Sequence, residues 1–560
     1  HPPGAPFFLM LNHVFTIFAF GNEALVPDLV NFSSALMSAM ASLFLFWTIT
    51  AIAIKIAFKD ENNIKADQVI AVILAGLIGS LAYTWSDTAW FSAVEGEVYA
   101  MSSMFIALVS WLMMKWERRA HEADNMRWIV LICFFIGLSS GVHLMSLLAM
   151  PAMALVYYFK NYGYSLKGFL LTSLVGVVLL GLIQVAVITG IPSLISKFEL
   201  LFVNSFGLPF WTGAMFLIIV LIGAVTFGVY YTFINKKVLA NVALTSFAVI
   251  LIGYSSYTMV VVRSLANPAI DMNDPENVFS LLSYLNREQY GDRPIAKGPN
   301  FTAYTATNGY SAEKKGAKQY RKGKEEYEFT ERKYVEEYSP EHETIFPRLY
   351  SRQEDHISEY RRWTKLRPGK VPTLGDNISF FIKYQLNHMW FRYFGWNFIG
   401  RQNDTQGHGS SFKGNTMTGI NGIDQGFFGV PDSEKLPDHM RNDKARNTLY
   451  GIPFLLGLFG LFFHARRNQE SFLYVMVYFI MTGIALAVYL NMPPIQPRER
   501  DYVFVASFYF YAIWIGLGAL MIWDFLRTKL NPTVAAAGSG LILFLLVPVN
   551  MVAEEWDDHN

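Results

Sequence analysis

Two arginines stand where charge should be scarce. The stretch Pro493-Pro494-Ile495-Gln496-Pro497-Arg498-Glu499-Arg500-Asp501-Tyr502 separates two apolar runs and is stiffened by three prolines. Arginine stays charged at any working pH and grips phosphate through parallel N–H donors. A rigid pair beside apolar runs suits a lipid phosphate or pyrophosphate. The competing reading is a pair of local salt bridges, Arg498 or Arg500 with Glu499 or Asp501. A second group sets the acids Asp87, Glu95 and Glu97 among the aromatics Trp85, Trp90 and Tyr99, with no basic residue between them. Carboxylates can accept the hydroxyls of a sugar while rings cover its C–H faces. Alternatively these acids are helix N-terminal charges that complement the dipole, which suits Glu97 best.

Two histidines complete the candidates. His143 closes Ser139-Ser140-Gly141-Val142-His143, and His1 opens His1-Pro2-Pro3-Gly4-Ala5-Pro6. Either could contact a phosphate at a membrane surface. The bland readings are a structural histidine and a stiff turn ahead of a helix. No HExxH, GxxxxGK[ST], GxSxG or CxxC pattern occurs, so zinc hydrolysis, nucleotide hydrolysis and serine-nucleophile chemistry have no support. No ligand spacing calls for a metal, and none is expected. Cys133 is the single cysteine, which excludes an intramolecular disulfide and a thiolate cluster.

The elements that must position these residues are apolar. Of 560 residues 53% are hydrophobic and only 16% charged, against about 25% in soluble domains. The composition describes an all-α polytopic membrane protein. A span needs roughly 20 apolar residues, and twelve candidates stand near 32–55, 68–86, 97–115, 128–142, 145–160, 168–189, 208–234, 239–262, 448–464, 471–491, 502–524 and 532–552. Alternate short loops hold fifteen basic residues on one side and three on the other, so the basic side is expected in the cytoplasm. Span centres carry almost no charge, which counts against an ion-coupled transporter. A formal net charge of +1 implies no nucleic-acid partner.

The expected divisions are 1–31, the end of an outer loop with an interfacial helix; 32–262, the first part of the bundle; 263–447, a large outer loop; 448–552, the second part of the bundle; and 553–560, the start of an outer C-terminal region. The loop 263–447 holds 27 of the 45 basic and 24 of the 44 acidic residues, so it is solvated. Its charged stretch 313–343 reads as a solvated helix or hairpin, and 400–429 as irregular. The aromatic segment 380–398 reads as lying on the membrane surface or roofing a cavity.

Taken together, HPPGAP at 1–6, AVEGEVYA at 93–100, SSGVH at 139–143, NREQYGDRP at 286–294, FPRLYS at 346–351, FRYFGWNFIGRQND at 391–404 and QPRERDY at 496–502 resemble one family. It is the polytopic membrane family of formerly unknown function that includes the receptor O-mannosyltransferases of the animal endoplasmic reticulum. The chain looks like the bacterial, Bacteroidetes-type branch. The resemblance implies a GT-C glycosyltransferase, a multi-helix bundle moving a sugar from a polyprenyl-phosphate carrier to Ser/Thr of exported proteins. The implied partners are the lipid-linked sugar, the exported acceptor and, where chains are modified as they emerge, a protein translocon. The implied location is the bacterial inner membrane, with the active face and large loop in the periplasm. The family's catalytic acid precedes the HPPG stretch, so the base is expected upstream of His1, with Asp87, Glu95 and Glu97 as weaker candidates. Arg498, Arg500, His1 and His143 would bind donor phosphate; Trp85, Trp90, Glu95, Tyr99 and Asp501 would face sugar or acceptor. The alternatives are an O-antigen-type polymerase or ligase, and a non-catalytic subunit of export machinery.

Overall fold

A computed structural model describes the protein except for residues 1–3, 59–62, 289–290, 292, 306–309, 557 and 559–560, and the side chains of 310–314. His1 therefore lies outside the described residues. Among those described, nine helical segments are long and apolar enough to cross a membrane. The other three expected spans are helices too, but short: Met126–Ser140, Met150–Tyr162 after a tight turn, and Ile452–Arg467.

The bundle is built around Asp501–Leu526. Of its most apolar 18-residue stretch 94% of the residues are buried, against 6% for that of Val238–Ser264, which faces outward. A helix hydrophobic all round must be covered all round, and glycine lets its neighbours come close. A Cβ on Gly516 would stand 2.5 Å from the Ala75 carbonyl, and one on Gly518 2.1 Å from that of Leu456. Backbones thus meet directly on two sides, the small-residue packing that suits helices in lipid.

One expected boundary is corrected. The span set at 168–189 does not end there, because Leu166–Ser205 is one unbroken helical segment. At 1.5 Å per residue, its 40 residues reach about 60 Å, twice the hydrocarbon thickness. Its far end is polar at one point. Buried Glu199 accepts the backbone N–H groups of Trp211 and Ala214, closing the start of the helix Thr212–Ile234, and the Tyr327 hydroxyl donates to it. Tyr327 opens one strand of the antiparallel hairpin Tyr310–Lys322 and Tyr327–Tyr338, so the charged stretch is a hairpin held on the protruding helix.

The aromatic segment is placed otherwise than expected. Helical turns run from Leu374 through Phe398, and Tyr393, Trp396, Asn397 and Phe398 are buried. Phe394 meets Tyr511 of the central helix edge-on at 4.6 Å. Aromatic area this large gains more from the bundle interior than from an interface, and the segment becomes core.

Candidate functional site

Helix ends bring the singled-out residues together. Asp87 opens the short helix Asp87–Val94, Glu97 precedes Val98–Arg119, and Asp501 starts the central helix. Arg401 follows the aromatic segment, and Glu555 ends the last helix. They sort into a rim and a buried centre beneath it.

The rim carries a row of rings and charges. The Arg498 guanidinium lies over the Tyr502 ring at 4.9 Å; Tyr502 stands 4.3 Å from Tyr99, and Tyr99 6.1 Å from His143. Glu95 and Glu97 lie in the field of Arg498. Their turn is set by Gly96, where a Cβ would meet Val30 Cγ1 at 2.8 Å. Burial pushes the Glu95 carboxyl above its ordinary value; Glu97 and Asp501 add to this, and Arg498 opposes it. His143 is driven down to about 4 by burial and by Arg287. Its Nδ1 accepts the Met145 N–H, so the neutral ring keeps its hydrogen on Nε2. His143 is a neutral donor and not a second cation.

The expected local salt bridges are not formed. Glu499 pairs with Arg392 at 2.7 Å, takes the Tyr393 hydroxyl at 2.6 Å and accepts the Gly407 N–H. Burial opposes its charge, but these donors hold it below the ordinary carboxylate range. Among the described residues neither Arg498 nor Arg500 has a carboxylate within salt-bridge distance. Arg500 lies instead in the field of Tyr350, whose hydroxyl is hydrogen-bonded to Arg293. The Arg500 Nε has no partner. Arg287 and Arg293, from the start of the large loop, therefore join the rim; both sat in a quoted motif without a role.

The centre is acidic. Asp87 is 2% exposed and receives Arg401 Nη1 at 2.7 Å. It begins a helix, yet its carboxylate is committed to that guanidinium. Asn397 clamps the next residue, accepting the Thr88 N–H and donating to the Thr88 hydroxyl. Thr88 in turn donates to Asp501, which lies in the field of Asp87 and Arg401. The Asp501 side chain thus points away from the rim arginines. Glu555 and Asp558 close the centre from the C-terminal side, and Asp87, Glu555 and Asp558 offer oxygens within 4.8 Å of one another. Over them Trp556 meets Trp85 at 6.1 Å and Trp90 at 5.9 Å, with Trp85 and Trp90 4.4 Å apart. Sequence reasoning found Trp85, Trp90 and Asp87 but not Arg401, Glu555 or Asp558. A pair of acids closing an apolar run reads like any solvated helix end.

At the inner side of the rim, an apolar cavity of about 530 Å³ runs between the protruding helix and its neighbours, lined by Ile191, Trp211, Ile222, Leu251 and Tyr254. Tyr257 is among its lining residues and lies in the field of Arg287.

Residues 1–165 match the family model described as the N-terminal domain of protein O-mannosyl-transferase TMEM260. Over these residues the chain is similar to that family. The protein O-mannosyl-transferase tmem260 of Dictyostelium discoideum is 27% identical over 128 residues, 23% of this chain and 13% of that relative's length. The matched part holds the acids and tryptophans of the first loop and the His143 turn; the rim arginines and the C-terminal acids lie outside it. Residues 291–382 match a second model, of a family of unknown function. No solved structure matches the chain.

Proposed function

We propose that this protein is a membrane glycosyltransferase that moves a sugar from a polyprenyl-phosphate carrier to Ser/Thr hydroxyls of exported proteins, at the periplasmic face of a bacterial inner membrane. The observation that carries the reading is the pair Arg498 and Arg500, which among the described residues have no carboxylate within salt-bridge distance, together with an apolar cavity whose lining includes Tyr257, in the field of Arg287. The carrier's tail fits the cavity and its phosphate the arginines. Guanidinium donors stabilise the charge that builds on the departing phosphate. The sugar would lie over Tyr99 and Tyr502, with the tryptophan trio beside it. Of the acids in the described residues, Glu95 would take the acceptor proton. Asp87 is held by Arg401, and Asp501 faces the buried centre. The relative's printed name, a protein O-mannosyl-transferase, supports a protein acceptor and a mannosyl-type sugar.

The test is transfer in membranes containing the full-length protein, from a radiolabelled polyprenyl-phosphate sugar to a Ser/Thr peptide. Label in the peptide, lost in the Arg498→Ala/Arg500→Ala variant at equal expression, is the expected result. Transfer undiminished in the variant, or none from any donor by inserted, folded protein, overturns the reading.

A further inference from the structure

Among the described residues, the buried centre gathers more carboxyls than cations. Four carboxyls, Asp87, Asp501, Glu555 and Asp558, surround the single guanidinium of Arg401. Burying unpaired charge is costly, so such a cluster either takes up protons or holds a positive partner. The oxygens themselves show where. Glu555 is fully buried; among the described residues neither of its carboxylate oxygens receives a donor, and the Asp87 and Asp558 carboxyls and the Arg401 guanidinium lie around it. Asn447 reaches the same space from another element. Its Nδ2 donates to Asp558 Oδ2 at 2.7 Å, while its Oδ1, on a fully buried side chain, has no partner among the described residues. An amide oxygen with no donor is an ordinary ligand for a hard cation.

We infer that Asp87, Glu555, Asp558 and the Asn447 amide oxygen form a binding site for a hard divalent cation, Mg²⁺ or Ca²⁺. Oxygens about 2.0–2.6 Å from such an ion lie within roughly 4–5 Å of each other, and the three carboxylates meet that condition at 4.8 Å. The donors are all oxygen, which excludes a preference for soft metals. The ligands come from the first loop, the large loop and the C-terminal helix, so the ion ties together three distant parts of the chain. It also seats Trp556 against Trp85 and Trp90.

The probe is Mn²⁺, added to the metal-stripped full-length protein in detergent near neutral pH, with free Mn²⁺ read by electron paramagnetic resonance. One Mn²⁺ per chain is expected, displaced by Mg²⁺ or Ca²⁺, with affinity lowered at least about tenfold in Glu555→Gln. Asp558→Asn serves as a second isosteric variant should the first not fold. Glu95→Gln, on the rim, is expected to bind as the parent does. No binding up to ~1 mM, the weak end for such sites, overturns the inference. So does unchanged affinity in the centre variants, or loss of binding in Glu95→Gln. The readout does not depend on sugar transfer, so it stands or falls separately from the proposed activity.

Discussion

At the residue scale, the rim makes Glu95 sensitive to its neighbours. Its carboxyl is raised by burial first and by Glu97 second, and lowered by Arg498. A general base must be ionised, so transfer falls as pH drops through the Glu95 value. Removing the like charge with Glu97→Gln lowers that value and moves the acid limb of kcat/KM to lower pH. Glu95→Gln is expected to abolish the limb along with about 10²–10⁴-fold of the rate. A pH profile in which Glu97→Gln moves the limb upward, or not at all, removes Glu95 from this role. The types of these residues were legible in sequence, because acids and rings without bases are visible as a pattern. Their pairings were not. Glu499 and Asp501 flank the arginines in the chain, yet both turn to partners about a hundred or more residues away.

At the element scale, the segment 374–398 holds the rim loop in place. Arg392 is 6% exposed and Glu499 16% exposed at the side chain, and the pair is completed by Tyr393 and by the Gly407 N–H. Removing one charge of a buried pair costs about 3–5 kcal/mol because the other is left unpaired. Glu499→Gln is therefore expected to lower the thermal midpoint markedly, while the double variant Arg392→Met/Glu499→Leu recovers part of the loss. Glu499 is held below its ordinary value, so its contribution is present at neutral pH. It is lost only as pH falls below about 4 toward the folded value. Equal loss in single and double variants would show that the pair acts through packing alone. Sequence placed 380–398 on the membrane surface or roofing a cavity, because the segment is too aromatic to be solvated and too polar to span. Arg392, Asn397 and Arg401 instead find partners inside.

At the scale of the whole molecule, the basic loops and the charged hairpin are expected on opposite sides of the membrane. Cys133, the only cysteine, is buried, so introduced cysteines can be read against a low background. Glu331→Cys, on the exposed hairpin, is expected to react with an impermeant maleimide in intact cells with opened outer membranes. Lys237→Cys, between two spans, is expected to react only after the inner membrane is permeabilised. The reverse pattern would invert the topology and place the rim in the cytoplasm. The hairpin's post is also a whole-molecule feature, since Glu199 and Asn204 on the protruding helix both hold Tyr327.

Composition alone determined the class of the molecule, because lipid admits only helices or closed barrels and a run of apolar residues announces a helix whatever surrounds it. The spacing of Arg498, Arg500, Glu95 and the tryptophans likewise announced where polar chemistry collects. Tertiary structure alone decided which charges are free and which are spent. Arg401 reaches Asp87 across 314 positions of chain, and Glu555 joins them from the last helix. Helix-end side chains meet by how the bundle packs, and packing is set by shapes summed over many elements that no local stretch records.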